Sequence, residues 1–229
     1  MQLIPVSHLF FMLLPLAVVG YFYYTWLDNA KEILYATLRM VIQLVLIGYA
    51  LIYIFENDSI VLGIGIILMM ISMSSLITLR NISNKSFSSY FIIFISIAFG
   101  GSINLILVLE VVLDLTPFYE PRYVIPIAGM IYANCMDAIS IAAERFEKEI
   151  QHSGYDDAKK IAFKSALIPS INAFLAVGLV SLPGMMTGQI LSGVDPLIAV
   201  RYQMVVMAMV LGSSGISIVT YLTLKKKQL

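Results

Sequence analysis

The sequence predicts an all-α, polytopic membrane protein with about seven transmembrane helices, and composition and apolar run length lead to this prediction. Of the 229 residues, 60% are hydrophobic and 12% are charged, and the mean hydropathy is +0.91. Soluble domains are only about half apolar. The apolar residues also fall into runs of about 20, the length that a helix needs to cross a bilayer. Because these runs fill the chain, we expect residues 1–229 to form a single transmembrane domain.

Short polar connections separate the apolar runs. The predicted spans are Leu3–Trp26, Leu34–Phe55, Ile60–Leu79, Tyr90–Leu113, Tyr123–Ala143, Ala166–Leu191 and Leu197–Leu224. The first run has no basic residues before it and no small-residue cleavage site after it. It therefore predicts a retained span and not a cleaved signal peptide.

Lysine and arginine are divided unequally between the two sets of connections. One set holds Lys31, Arg80, Lys85, Arg145, Lys148, Lys159, Lys160, Lys164, Lys225, Lys226 and Lys227. The other set, residues 55–59, 114–122 and 192–196, holds Arg122 as its one base. Basic connections stay in the cytoplasm. With seven spans, this predicts an outside N-terminus, a cytoplasmic C-terminus and a location in the inner or plasma membrane of the cell.

The longest connection, Glu144–Ser165, is charged and mostly helical in pattern, with Gly154 breaking it in the middle. Two interpretations stand side by side. It is a solvated connector, or it is a coupling element made of a short helix, a glycine turn and a second helix that docks on a cytoplasmic partner. The charged and turn residues that such docking would use are Glu144, Arg145, Glu149, Gly154, Asp156, Asp157 and Lys160.

Two polar residues lie four apart in the second predicted span, Arg39 and Gln43, so they share one face of that helix. A charge in lipid costs about 2.5 kcal/mol or more, so this face should point into the protein. Arg39 either extends its head toward the cytoplasmic interface or has a buried partner. Gln43 is suited to a hydrogen bond between helices, and both residues are candidates for a transport pathway.

The fifth predicted span carries polar residues on one face, with Asn134 and Asp137 three apart and Ser140 continuing the row. Carboxylate and amide oxygens suit hard cations, whereas the sulfur atoms of Cys135 and Met136 suit softer ones. A weak metal site of Cys135, Met136 and Asp137 is one hypothesis, although Cys135 lies about 100° around the helix from its neighbour. A polar packing seam between helices is the alternative. Asp137 is the strongest functional candidate because a carboxylate in a membrane needs a partner or water.

The stretch SLPGMMTGQILSGVDP, residues 181–196, follows directly on an apolar run. Proline lacks the helical N–H and glycine adds freedom, so a kink or break is predicted around Pro183 and Gly184. Asp195 is expected to cap the last helix, with Pro196 in its first position. The middle of the stretch is expected to be a gate hinge or a ligand site, with Met185, Met186, Thr187 and Gln189 lining the pathway.

Several functions are disfavoured. The net charge is zero and suggests no nucleic-acid partner. The GSSG motif at 212–215 matches the serine motif of intramembrane proteases, but His8 and His152 fall at the wrong depth for that chemistry. Small-residue helix packing is the better account of GSSG, and GGSIN at 100–104 predicts a close helix contact too. No GxxxxGK[ST] motif is present, so the chain is not expected to be an enzyme, and any ATP hydrolysis is expected in a partner subunit.

Three segments resemble the FetB-type permeases, a family of bacterial ABC exporter membrane subunits associated with iron that includes plant permeases linked to aluminium tolerance. The segments are RMVIQLVLIGYALIYIF (39–55), VIPIAGMIYANCM (124–136) and ALIPSINAFLAVGLVSLPGMMTGQILSGVDPLIAVRYQMVV (166–206). The resemblance runs from about Arg39 to Thr220, and SLPGMMTGQ is its most specific part.

The resemblance implies a permease of roughly seven spans that pairs with a separate nucleotide-binding ATPase and forms a homodimer. The substrate would be a metal ion, iron first. ATP and magnesium would bind the partner, and this chain would hold no cofactor. It also favours the coupling interpretation of the Glu144–Ser165 loop. A self-sufficient channel or an ion-coupled carrier, with Asp137 and Arg39 as coupling charges, stays open as the alternative.

Overall fold

A computed structural model of the chain describes residues 4–57 and 59–226. Leu3, Asp58 and Lys227, which belong to predicted segments, lie outside these residues. The described chain is helical, with one isolated bridge pair as its only extended pairing. Six of its helices are long and apolar enough to cross a membrane. The predicted fold class, an all-α polytopic membrane protein, is confirmed.

The described residues divide into two compact units, the first ending at Asn57. This first unit is a helical hairpin with a short N-terminal lead. Its elements are α1 (Val6–Leu9), a 3-10 turn (Phe10–Met12), α2 (Leu13–Leu27) and α3 (Ala30–Glu56). Asp28 turns the chain between α2 and α3 with a left-handed φ of 53°. Across this turn the Tyr23 hydroxyl donates to the Glu32 carboxylate at 3.1 Å, which ties the two helices together.

The second unit is a helical bundle. Its elements are α4 (Ile60–Leu79), α5 (Phe87–Ile106) with a π-helical extension (Leu107–Val112), α6 (Pro121–Glu149), α7 (Tyr155–Ala176), α8 (Gly184–Leu191) and α9 (Pro196–Lys225). The core lies where α5, α6 and α9 meet, around the fully buried Ile97, Ile131 and Ile218. α4 and α7 pack against α6 on the outside of this core.

Glycine allows α5 to lie directly against its neighbours. A Cβ on Gly100 would overlap Ser217 of α9, and a Cβ on Gly101 would overlap the Tyr132 ring of α6. Helices approach this closely only where one of them lacks a side chain. The close helix contact predicted for residues 100–104 is therefore confirmed.

Short polar side chains cap three of the helices in the second unit, α4, α5 and α9. The Asp195 carboxylate accepts the backbone N–H of Leu197 at 2.8 Å, and Pro196 occupies the first turn of α9, as predicted. Ser59 and Ser86 cap α4 and α5 in the same way. Each cap satisfies an amide that has no partner inside its helix.

The predicted sixth span, Ala166–Leu191, is wrong as a continuous helix. α7 begins at Tyr155 and ends at Ala176, and α8 restarts only at Gly184. The residues between are irregular: Gly178 has a φ of +82°, and its N–H turns back to the Ser181 carbonyl at 3.0 Å. Proline disfavours the helical conformation in the residue before it, and it has no backbone N–H to donate to a helical hydrogen bond. Pro183 accordingly serves as the N-cap of α8, so the interruption is wider and earlier than a kink at Pro183.

The predicted coupling segment has a helix, a turn and a helix, but the two helices are the ends of long ones. α6 continues to Glu149, the turn covers Ile150–Gly154, and α7 starts at Tyr155. We refer to Glu144–Lys160 as the α6–α7 turn region. Both helices run from this turn into the bundle.

Tyr155 fastens the α6–α7 turn region to α9. Its hydroxyl donates to the Leu222 carbonyl at 2.8 Å, and its ring meets Phe146 edge-on with centroids 5.8 Å apart. The ammonium groups of Lys159 and Lys226 lie 5.1 and 5.0 Å from the ring centroid. This one side chain therefore joins α6, α7 and α9.

We expect Tyr155→Phe to lower the free energy of unfolding by about 1 kcal/mol, the usual net worth of a hydrogen bond, while its ring contacts remain. Thermal unfolding of the purified protein in detergent measures the change. Tyr49→Phe is the matched control, because the Tyr49 side chain is 75% exposed and its hydroxyl bonds to no described residue. Equal unfolding temperatures for the two variants would contradict the prediction.

Candidate functional site

The polar face of α6 opens into a cleft of about 350 Å³ between α4, α6 and α7. Its polar lining consists of Asn81, Asn134, Asp137, Ser140 and Ser170. α6 supplies three of these because positions 134, 137 and 140 repeat at helical spacing. The cleft brings together the row of polar residues that was predicted for the fifth span.

The polar groups around Asp137 are mostly occupied by their own helix. The Asn134 amide donates to the Met130 carbonyl at 2.8 Å, and the Ser140 hydroxyl donates to the Met136 carbonyl at 2.8 Å. Asp137 is exposed and has no hydrogen bond or ion pair with the rest of the described chain. Its carboxylate is therefore an unpaired acceptor in this cleft, beside the side-chain oxygens of Asn81, Asn134 and Ser170.

The predicted metal trio does not share one centre. Cys135 is fully buried on the opposite side of α6, against Ser213 and Ser217 of α9. Met136 and Asp137 line the cleft instead. Among the described residues no group of three or more His, Cys, Asp or Glu side chains is arranged to hold a metal ion. A cation in the cleft would meet Asp137 first, with amide, hydroxyl and thioether groups around it.

The residues predicted from the 181–196 stretch are divided between two other cavities. Met185 and Gln189 line a cavity of about 470 Å³ between α6, α8, α9 and the π-helical segment. Met186 faces a cavity of about 380 Å³ between α7, α8 and α9. The Thr187 hydroxyl donates to the Leu182 carbonyl at 3.3 Å, so it stabilises the start of α8. α8 is thus a short amphipathic piece with a different cavity on each side.

Arg39 and Gln43 lie on α3 in the first unit, at helical spacing as predicted. Arg39 is half-buried and Gln43 is exposed. Neither makes a side-chain hydrogen bond or ion pair to another residue of the described ranges. Their role in a pathway stays a prediction.

Four local ion pairs cover the α6–α7 turn region. They are Lys148–Glu144 at 2.6 Å, Arg145–Glu149 at 2.8 Å, Lys159–Asp156 at 2.9 Å and Lys160–Asp157 at 3.3 Å. A hydrogen bond from Lys159 holds the pKa of the Asp156 carboxyl below its ordinary value, so this carboxyl stays ionised at neutral pH. The turn therefore presents a surface of paired acidic and basic side chains, with Gly154 exposed at its tip.

Glu147 is a further residue of this region that the sequence did not single out. Its carboxylate accepts from the Ser83 N–H at 3.0 Å and from the Ser83 hydroxyl at 2.8 Å. The contact joins the connection between α4 and α5 to the end of α6. One acid among several in a charged run carries no signal that marks it, because its partner lies 64 positions away in the chain.

The membrane-length helices define a polytopic membrane protein. Within its helical bundle the Asp137 carboxylate lines a polar cleft. The chain belongs to the Uncharacterised protein family (UPF0014), whose model matches residues 5–229. The resemblance predicted from the sequence is thereby confirmed. No solved structure matches the chain.

Three curated relatives illustrate the family. The chain is 33% identical to the Probable iron export permease protein FetB of Escherichia coli, over 86% of this chain and 81% of that protein. It is 32% identical to the membrane protein YjkA of Bacillus subtilis, over 82% and 80%. It is 31% identical to Protein ALUMINUM SENSITIVE 3 of Arabidopsis thaliana, over 82% and 74%.

Proposed function

We propose that this chain is the permease subunit of an ABC-type exporter that moves a metal ion, iron in the first instance, out of the cytoplasm. A separate ATPase subunit supplies the energy by hydrolysing ATP with magnesium. Two permeases and two ATPases form the transporter in the cell membrane. Support comes from the FetB relative, which is named a probable iron export permease, and from the α6–α7 turn region.

The construction of the α6–α7 turn region is the observation that carries the proposal. It is a charged helical turn, fastened to α9 through Tyr155 and to the connection after α4 through Glu147. A mere connector needs no such fastening. A surface that receives a push from a partner does, because the push must reach the bundle without being absorbed by a flexible loop.

The same helices that leave the turn form the cleft. From Glu149 to Asp137 the distance along α6 is about 18 Å, at about 1.5 Å per residue. α7 lines the other wall with Pro169 and Ser170, and proline removes a backbone hydrogen bond there. ATP-driven movement of the turn would therefore shift the two walls of the cleft relative to each other and change the access to Asp137.

Asp137 would take the metal ion in this mechanism. Among the described residues it is the one carboxylate that lines the cleft, and an unpaired carboxylate at membrane depth is expensive unless a cation or water meets it. Hard cations prefer such oxygen ligands. Alternating exposure of the cleft to either side would then carry the ion across.

We expect the tagged permease to co-purify with the ATPase encoded beside it. Charge reversal at the turn, Asp157→Lys together with Lys160→Glu, should reduce the recovered ATPase at least about tenfold, because docking surfaces select against misplaced charge. Immunoblotting of the eluate measures the recovery. A metal panel applied to the reconstituted complex then identifies the ion that stimulates ATP hydrolysis.

Arg201→Glu is the control variant, since Arg201 is exposed near the start of α9, whereas the α6–α7 turn region contacts the other end of that helix. It should leave the recovery unchanged. A permease that purifies alone and transports an ion without ATP would exclude the exporter and establish the alternative, a self-sufficient channel or ion-coupled carrier. The lone Asp137 carboxylate is the observation that would support that alternative.

A further inference from the structure

A cavity of the second unit lies at the end of the bundle opposite the α6–α7 turn region. Its volume is about 470 Å³, within the usual range of small-molecule sites. α6 begins there, α8 forms one wall, and most of the lining is apolar. Four polar side chains interrupt the apolar lining: Arg122, Tyr123, Gln189 and Tyr202.

None of these four side chains has a side-chain hydrogen bond or ion pair with another described residue. The Gln189 carbonyl oxygen is moreover buried with its acceptor capacity unused. A buried polar group without a partner costs about 1–3 kcal/mol, so such a group is kept where something else pairs with it. The Arg122 side chain lines the same cavity but is exposed, and no acidic residue of the described ranges lines the cavity to pair with it.

We infer that this cavity binds a small hydroxylated carboxylate. Its carboxylate pairs with the Arg122 guanidinium, which matches the planar geometry of that group. Its hydroxyl donates to the Gln189 carbonyl oxygen, and the tyrosine hydroxyls complete the polar contacts. The apolar lining, which includes Met185 and Met209, encloses the carbon skeleton.

A bare metal cation does not fit this chemistry, because an unpaired guanidinium repels it at close range. The cavity is therefore distinct in character from the cleft at Asp137, where the free charge is negative. The inference goes beyond the proposed function, since binding here needs no metal, no ATP and no ATPase.

The test uses the full-length permease in lipid nanodiscs and calorimetric titration with 2-hydroxybutyrate and with butyrate, two monocarboxylates that differ by one hydroxyl group. We expect 2-hydroxybutyrate to bind about tenfold more tightly than butyrate, the ratio that one satisfied buried acceptor gives. Gln189→Leu should bring this ratio close to one. Arg122→Gln should weaken both ligands at least about tenfold. Sulfate alone and glycerol alone should bind far more weakly than 2-hydroxybutyrate.

Arg201→Gln is the control, because it removes the same charge from an exposed position of α9 that does not line the cavity. It should leave both affinities unchanged. Equal affinities for 2-hydroxybutyrate and butyrate in the unmodified protein, or undiminished binding by Arg122→Gln, would overturn the inference. The titration contains neither metal nor ATPase. Its failure can therefore be distinguished from a failure of the co-purification or of the metal-stimulated ATP hydrolysis that tests the proposed function.

Discussion

Asp137→Ala is expected to abolish metal stimulation of ATP hydrolysis in the reconstituted complex, while the permease still assembles with its ATPase. The carboxylate has no partner in the described chain, so its removal breaks no internal contact. Loss of the side chain should therefore leave the fold intact and remove the charged side chain that lines the cleft among the described residues. The measurement is the rate of phosphate release with and without the metal ion, on complexes matched for subunit ratio.

A second substitution at Asp137 separates the effect of its charge from the effect of its size, and a control variant accompanies it. Asp137→Asn keeps the size and removes the charge, so it should behave like Asp137→Ala if the charge holds the ion. Glu110→Ala is the matched control, because Glu110 is an exposed carboxylate of the π-helical segment that lines none of the three cavities described. The metal ion should stimulate ATP hydrolysis by the Glu110→Ala complex as strongly as it stimulates the unmodified complex. Full stimulation of Asp137→Ala would remove Asp137 from the pathway.

The sequence was sufficient for features that depend on local chemistry. Six of the seven predicted apolar runs coincide with the membrane-length helices, and Asp195 with Pro196 predicted the start of α9. Glycines at 100 and 101 predicted a close helix contact, because a missing side chain is informative wherever helices pack. The helical spacing of Asn134, Asp137 and Ser140 likewise placed them together in one cleft.

The break between α7 and α8 was hidden by its own composition. Leu179 and Val180 are apolar, so the hydropathy of the sixth run stays high across residues that are not helical. The helix stops at Ala176, and Gly178 then allows a left-handed turn. Seven residues, 177–183, separate Ala176 from the start of α8 at Gly184. A hydropathy window averages over such a turn and reports one span.

Contacts between residues that lie far apart along the chain could not be predicted from the sequence either. Nothing in the chain marks Glu147 as the partner of Ser83, and Tyr155 carries no signal for the Leu222 carbonyl. The division of Met185 and Met186 between two cavities depends on where α8 lies against α9, which neighbouring positions do not encode. These contacts hold the α6–α7 turn region and the cavities in place, so the candidate sites could be identified only from the structure.

Gly100→Ala is expected to destabilise the second unit by about 1–3 kcal/mol, the usual cost of overpacking a closely packed contact. The added methyl group would lie 2.6 Å from the backbone nitrogen of Ser217 and 2.9 Å from its Cα. Backbone of a buried helix cannot turn aside as a flexible side chain can. α5 and α9 would have to separate along the contact that forms the centre of the core.

Gly65→Ala is the matched control, because Gly65 lies inside α4 with no atom within 4 Å of its added Cβ. Alanine is the better helix former by about 1 kcal/mol, so this variant should be slightly more stable than the unmodified protein. The two identical substitutions should therefore shift the unfolding temperature in opposite directions, as measured by thermal unfolding in one detergent. A shift in the same direction for both would mean that α5 and α9 are not in contact at Gly100 in the membrane, and that the core around which the cleft and the cavities are arranged is looser than described.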